Sequence, residues 1–316
     1  MFEKIKGALY GLATGDALGV PVEFRSRELL TRRPVTGMTG FGTWNQPPGT
    51  WSDDSSLAFC LAESLINGYN INDIAANFLK WKQSGYWGAH HRVFDIGMTT
   101  SNSLSRVSRG VKPAIAGGSE EGDNGNGSLM RILPLVFYTY HLPVRERFEL
   151  IQEVSSVTHA HFRSIFACFI YTELALKIMD GGSFMEAYRE TCASVNKYIT
   201  SENFSKNELK LFERILGGEI DKLAEERIHS GGYVIHTLEA ALWCLLNTAD
   251  FPEATLKAVN LGGDTDTTAC VAGGLAGMHY GFNNIPADWV MQLARKDDIE
   301  QLAKQLSENF EKWKRD

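Results

Sequence analysis

The segment Asn260-Leu261-Gly262-Gly263-Asp264-Thr265-Asp266-Thr267-Thr268 decides how the chain is read. It sets two carboxylates and two hydroxyls at consecutive positions, directly after a Gly-Gly pair. A small, apolar run follows: Ala269-Cys270-Val271-Ala272-Gly273-Gly274-Leu275-Ala276. The glycine pair reads as a turn and the run as a buried helix. Open backbone N–H groups and the positive dipole end stabilise carboxylates at a helix start, so Asp264 fits a capping role. Capping does not account for Asp266 in the first turn, between Thr265 and Thr267, at the head of a helix with almost no polar face. Hard oxygen donors at that density suit a divalent cation.

A second stretch mirrors the first. Ser52-Asp53-Asp54-Ser55 also sets a hydroxyl and adjacent carboxylates at the start of an expected helix, capped by Ser52 or Asp53 and running to about Asn67. Leu57, Leu61 and Leu65 mark its buried face. Neighbouring helical residues point about 100° apart, so Asp53 and Asp54 address different positions. Asp264 and Asp266 facing them would crowd four carboxylates into one site. Such crowding is unfavourable without cations, which argues for two metal ions.

The chain has 316 residues, 22% charged and 44% hydrophobic, with a formal net charge of −7. Its basic pairs, Arg32-Arg33 and Lys314-Arg315, are isolated. The acidic balance and the lack of a basic stripe argue against a nucleic-acid partner. Five cysteines show no Cys-x-x-Cys spacing, and four lie among apolar neighbours. They read as buried thiols in a reducing compartment. The apolar run after Lys6 is interrupted by Asp16, so it is not read as a signal peptide. No segment is long enough to cross a membrane. A cytoplasmic protein is expected.

Helical periodicity recurs along the chain and strand alternation is almost absent. Residues 2–18 read as an Ala- and Gly-rich helix whose small side chains allow close packing, stopped by Gly19 and Pro21. A polar Gly/Pro-rich loop is expected over residues 31–50. Asn72 or Asp73 opens a helix towards Lys82, and another runs to about Arg109. The segment 116–128 reads as a ligand loop, with an apolar helix resuming at Leu129-Met130-Arg131. Further helices are expected at 144–157, 163–179, 183–200, 206–216, 234–248, 252–259 and 297–314. The result is an all-α protein forming one domain, residues 1–316, with its cleft at helix N-termini.

The motifs occur in an order that resembles the ADP-ribosylglycohydrolases over nearly the whole chain. They are Gly15-Asp16-Ala17-Leu18-Gly19-Val20-Pro21-Val22-Glu23, Trp51-Ser52-Asp53-Asp54-Ser55, Asp95-Ile96-Gly97, Asn126-Gly127-Ser128-Leu129-Met130-Arg131, Thr158-His159, Gly231-Gly232-Tyr233-Val234 with Thr237-Leu238, and Gly262-Gly263-Asp264-Thr265-Asp266-Thr267. The resemblance implies a dinuclear Mg²⁺ or Mn²⁺ centre held by Ser52, Asp53, Asp54, Asp264, Asp266 and Thr267. Ser52 stands where the family usually has Thr.

The same resemblance implies catalytic roles for Asp95, Glu23 and Asp54. Asp95 would serve as acid/base, the role favoured over a simple cap for the helix near Met98. Asn126, Gly127 and Ser128 would offer backbone N–H groups to a pyrophosphate, with His159 near the phosphates and Tyr233 against adenine. Arg131 fits a phosphate partner or a structural ion pair. The expected substrate is an ADP-ribosylated protein, modified on arginine, with ADP-ribose as product. ADP-ribosylserine, O-acetyl-ADP-ribose, a silent ADP-ribose-binding protein and a metal-dependent phosphoesterase are the alternatives.

Overall fold

A computed structural model describes residues 1–313, so the Lys314-Arg315 pair lies outside the described residues. Among the described residues there are sixteen α-helices and only isolated β-bridges. The helices are α1 Phe2–Gly19, α2 Arg27–Arg32, α3 Asp53–Ile66 and α4 Ile71–Ser84. Then come α5 Met98–Ser108, α6 Leu135–Thr139, α7 Val144–Ser156 and α8 Phe162–Asp180. The next four are α9 Phe184–Ser201, α10 Lys206–Lys210, α11 Glu213–Leu216 and α12 Val234–Leu246. The last are α13 Phe251–Asn260, α14 Thr265–Tyr280, α15 Ala287–Gln292 and α16 Lys296–Trp313. The all-α expectation is met.

Local chemistry explains most boundaries. Asn70, not Asn72 or Asp73, caps α4 by accepting the Asn72 N–H at 3.0 Å. Ser183 and Glu186 form a capping box at α9. Asp250 caps α13 by accepting the Glu253 N–H at 2.8 Å. Surface helices bury one stripe, as α16 does with Ile299, Leu302, Ala303, Leu306 and Phe310. All five cysteines are buried and unpaired.

Three expectations need correction. The apolar stretch from Leu129 forms turns through Pro134 and becomes helical only over α6. Pro134 disfavours helical backbone at the residue before it. The expected helix 206–216 is two short ones, α10 and α11, separated at Leu211-Phe212. Short helices α2 and α15 occur where none was read; six-residue segments carry too little periodicity to register.

The centre of the fold is the antiparallel pair α1 and α14. Every residue of α1 from Gly7 to Gly19 is buried, as is α14 from Thr265 to Met278. Gly7, Gly11, Gly15 and Gly19 recur every fourth position and form one ridge. A methyl carbon at Gly7 would lie 2.1 Å from the Gly277 carbonyl oxygen, and one at Gly11 2.2 Å from that of Gly273. At Gly15 it would lie 2.0 Å from the Ala269 carbonyl oxygen, and at Gly19 2.3 Å from the Asp266 Cα. Backbone therefore packs on backbone along the whole contact. This register sets the C-terminal end of α1 against the N-terminal turn of α14.

Because both sides of that contact are main chain, neither can yield to an added methyl. Gly15→Ala is expected to lower unfolding stability by about 3 kcal/mol, measured in urea. Gly122→Ala, whose methyl meets nothing within 4 Å, is expected to stay within about 0.5 kcal/mol of the parent. Equal stability of the two variants would show that the close contact does not hold the fold.

Candidate active site

Two helix starts converge beside the α1–α14 contact. Asp53 and Asp54 occupy the first turn of α3; Asp264 is the N-cap residue of α14 and Asp266 lies in its first turn. Thr267 Oγ1 donates to Asp54 Oδ2 at 3.4 Å and joins the two starts. Ser52 Oγ donates to the same oxygen at 2.9 Å and accepts the Asp54 N–H at 3.3 Å. Asp53, Asp264 and Thr267 line a cleft of about 260 Å³, together with Glu23, Asp95, Asn126, Gly127 and His159. Asp54 and Asp266 are fully buried.

The loops around the cleft are stitched to one another. Gly262 and Gly263 both hold φ near +75°, a left-handed turn that only glycine adopts without strain. Gly263 N–H donates to the Arg25 carbonyl at 2.8 Å, and Phe24 N–H to the Gly263 carbonyl at 2.7 Å. This pairing carries Glu23 to the acidic cluster. Asp95 has φ of +55° and does not cap α5; that position belongs to Gly97. Non-glycine residues in this region are strained, and such strain gathers at functional sites.

One carboxylate at the centre was given no site role in the sequence reading. Asp16, on α1, accepts the Ser52 N–H at 2.9 Å, the Ser55 N–H at 3.0 Å and the Ser55 hydroxyl at 2.5 Å. It thereby fixes the N-terminus of α3 to α1. Oxygens of Asp16, Asp54 and Asp266 lie within 4.8 Å of one another, as do oxygens of Glu23, Asp95 and Asp266. Asp266 belongs to both sets. The signal for Asp16 was present: a lone carboxylate inside an otherwise small, apolar helix has to be paired when buried.

Unpaired atoms in the cluster bear on cation binding. Asp54 Oδ1, Asp264 Oδ1 and Asp266 Oδ2 are buried with no hydrogen-bond donor among the described residues. A buried acceptor left unpaired costs free energy, and native proteins rarely leave several together. Carboxylate and hydroxyl oxygens are the donor set that Mg²⁺ and Mn²⁺ prefer. The residues fit a divalent cation.

Proton affinities carry the same message. Burial, followed by the charge of neighbouring carboxylates, raises Asp53, Asp54 and Asp266 well above the usual range. Burial lifts Asp16 to about 6 despite its hydrogen bonds. Glu23 rises to about 9 through burial and then the Asp95 charge, and Asp95 to about 6 through burial and then Asp264. Oxygens of Glu23 and Asp95 lie within 4.8 Å of each other, so charge on Asp95 disfavours charge on Glu23. Trp44 Nε1 donates to Glu23 Oε2 at 2.5 Å and fixes that carboxyl.

The residues expected to bind substrate divide into two groups. Gly127 and His159 line the cleft, and the amides of Gly127 and Ser128 bond no other backbone group among the described residues. His159 Nδ1 pairs with Thr158 Oγ1 at 2.8 Å, and burial lowers its pKa to about 3, so the ring is neutral. Tyr233 borders a neighbouring depression of about 250 Å³ whose lining shares Gly125 and Gly232 with the cleft. Asn126 also lines the cleft, and its polar groups, like the Ser128 hydroxyl, bond within the protein. The Asn126 N–H donates to the Gly232 carbonyl at 3.1 Å, and its side-chain amide to Asp264 Oδ2 at 2.8 Å and Thr237 Oγ1 at 2.9 Å. Asn126 is thus a clamp on Asp264. The Ser128 hydroxyl turns inward, accepting from Ser155 Oγ at 2.9 Å.

Arg131 forms neither of the expected pairings. Its guanidinium is fully buried 4.9 Å from the Phe78 ring centroid and donates to the carbonyls of Gly127 and Val154, the latter at 3.1 Å. It braces the Asn126-Gly127 turn from behind.

Two outcomes follow from this geometry. Carboxyl groups raised in the folded protein stabilise it fully below their unfolded values, near 4, and that stability is lost as pH climbs through the folded ones. With Asp16 and Asp95 at about 6 and Glu23 at about 9, the melting temperature in chelator is expected to fall from pH 5 to pH 9. Mg²⁺ or Mn²⁺ is expected to raise it more at pH 8 than at pH 5; a pH-independent gain in calorimetry would contradict a carboxylate site. Asp16→Asn sets an amide against donors and is expected to weaken cation affinity by roughly 10–100-fold in titration calorimetry, with helical circular dichroism retained. Unaltered affinity would limit Asp16 to a role in folding.

Comparison with known proteins places this geometry. The ADP-ribosylglycohydrolase family model matches residues 1–316. The ADP-ribosylarginine hydrolase Tri1 of Serratia proteamaculans is 34% identical over 311 residues, covering 96% of this chain and 79% of the relative. The ADP-ribosyl-[dinitrogen reductase] glycohydrolase of Rhodospirillum rubrum is 31% identical over 304 residues, covering 94% and 92%. A solved structure described as an ADP-ribosylglycohydrolase-related protein complex superposes with a TM-score of 0.79 at 32% identity, covering 96% of this chain and 97% of that one. The chain belongs to the ADP-ribosylglycohydrolase family.

Proposed function

We propose that the protein is a divalent-cation-dependent hydrolase that cleaves the N-glycosidic bond between ADP-ribose and a protein arginine, releasing ADP-ribose and the unmodified side chain. The observation that carries this reading is the trio of buried, donorless oxygens on Asp54, Asp264 and Asp266, beside a cleft that also holds Glu23 and Asp95. Two relatives at 34% and 33% identity bear the name ADP-ribosylarginine hydrolase, which supports arginine as the modified residue. The two carboxylate triads meeting at Asp266 support a pair of Mg²⁺ or Mn²⁺ ions. Ser52, Asp53, Asp54, Asp264, Asp266 and Thr267 would hold them.

Each residue then has a task. Bound cations supply positive charge for the vicinal hydroxyls of the distal ribose and for water. Asp95, with its raised proton affinity beside Glu23, exchanges a proton with the reacting group. Hydrolysis breaks the ribose–guanidine C–N bond and forms a C–O bond to water; the water's proton balance ends on the leaving nitrogen. Gly127 and Ser128 present amides to the pyrophosphate, and Tyr233 flanks the depression suited to the adenine. Among the described residues no helix is long and apolar enough to cross a membrane. Residues 1–316 act as one domain, and the buried thiols fit a cytoplasmic setting.

The decisive experiment incubates metal-stripped protein with an ADP-ribosylarginine peptide, with and without Mg²⁺ or Mn²⁺. Cation-dependent release of intact ADP-ribose is expected. Tight ADP-ribose binding without turnover would point to a binding protein, and phosphate release to a phosphoesterase. Asp266→Asn is expected to lower kcat at least 100-fold with the helical circular dichroism unchanged; retained activity would end the assignment.

A further inference from the structure

The mouth of the cleft carries an aromatic feature that hydrolysis of the ribose bond does not by itself require. Phe24 and Met98 both line the cleft and are 67% and 79% exposed, unusually open for large apolar side chains beside a buried acidic floor. Phe24 packs edge-on against Trp44, with centroids 6.3 Å apart, and Trp44 packs against Phe94 at 5.6 Å. Phe24 directly follows Glu23 and Phe94 directly precedes Asp95. The three rings therefore bridge the two loops that deliver those carboxyls, and Trp44 also donates its ring N–H to Glu23.

The rim is held at a cost. Phe24 has φ of +65°, a strained conformation for a bulky residue, and its side chain gains little burial in return. Its N–H is tied to the Gly263 carbonyl at 2.7 Å, so the strained position is fixed to the loop that leads into Asp264. Strain maintained to keep an aromatic ring in water points to a ligand for that ring. Aromatic faces backed by carboxyls attract a flat cation, through the ring quadrupole and the charge behind it. A guanidinium is such a cation.

We propose that Phe24, backed by Trp44 and Phe94, forms a guanidinium shelf that receives the arginine side chain of the modified protein, with Met98 also on the cleft lining. The shelf selects the leaving group, while the acidic floor and the glycine-rich turn take the ADP-ribose. The inference rests on the arginine reading of the active site and adds the residues that would set it. It also assigns Trp44 two tasks that can be separated by substitution: an aromatic face for the cation and an N–H for Glu23.

The test compares kinetics on ADP-ribosylarginine and ADP-ribosylserine peptides of otherwise equal sequence, with inhibition by free ADP-ribose measured alongside, using metal-loaded full-length protein. Phe24→Leu and Trp44→Leu are expected to raise KM for the arginine peptide by about two- to thirty-fold. The ADP-ribose inhibition constant and any KM for the serine peptide are expected to hold. Trp44→Phe keeps a ring face and is expected to keep KM near the parent value while lowering kcat through the lost Glu23 contact. Phe24 is largely exposed, so its variant tests the shelf even where Trp44 changes disturb folding. Unaltered KM for the arginine peptide, or a parallel shift in ADP-ribose inhibition, would overturn the shelf. So would a parent dimer, in light scattering, that Phe24→Leu dissolves, since the rim would then be a contact between copies. Failure of the parent itself to cleave the arginine peptide would instead overturn the underlying reading of the active site.

Discussion

Everything in this molecule depends on two helix backbones lying in direct contact. The glycines of α1 and the Gly273, Gly277 and Ala269 positions of α14 remove the side-chain layer that normally separates packed helices. Interaxial separation in ordinary pairs is set by the side chains between them. Here the carbonyl of one helix sits where the other would carry a Cβ. The contact is antiparallel, so it fixes which end of α1 meets which end of α14. That register sets Asp16 within reach of Asp266, and the hydrogen bonds from Ser52 and Ser55 to Asp16 then recruit α3. A functional centre built from three helix ends thus inherits its precision from main-chain packing, which has no rotamers to change.

The acids gathered there oppose folding. Burial and mutual repulsion both raise the carboxyl pKa values, which means that the folded state disfavours their charged forms. Part of the penalty is offset locally. The N-terminal turns of α3 and α14 supply N–H groups and positive dipole ends, and Ser52, Thr267 and Asn126 supply donors. The remainder is left on particular oxygens of Asp54, Asp264 and Asp266. The helix pair supplies the rigidity to hold this unfavourable arrangement, and its oxygen donors fit a divalent cation as the partner that would relieve it.

Part of this was legible in the chain. Hydroxyl–carboxylate clusters at Ser52-Asp53-Asp54 and Asp264-Thr265-Asp266-Thr267 announce themselves because both sit at helix starts, where local sequence determines backbone geometry. The Gly-Gly turn was legible for the same reason. The partnership of α1 with α14 was not, since small residues state that a close neighbour exists without saying which. Asp16 was passed over because its partners lie 36 and 39 residues away. The contacts of Asn126 and Arg131 were not legible for a related reason: side-chain N–H donors suit many acceptors equally, and only the fold shows that Asn126 clamps Asp264 while Arg131 holds the Gly127 and Val154 carbonyls. Leu129 to Pro134 looked helical on apolar content, yet the brace from Arg131 to Gly127 and the proline hold it as turns.

The walls of the cleft obey a different logic from its floor. The floor is helix ends locked by backbone packing; the walls are loops that carry Phe24 and Asp95 in left-handed backbone and meet the solvent with aromatic rings. Rigid placement suits groups that must hold charge against charge, where a shift of an ångström changes the energy steeply. Loops suit groups that meet a partner whose surroundings vary from one protein to the next, because they tolerate change without disturbing the core. The pairing of Gly263 with Arg25 and Phe24 is the seam between these regimes. On the proposed reading, a change at the rim would alter which side chain is accepted while the carboxylates beneath keep their positions.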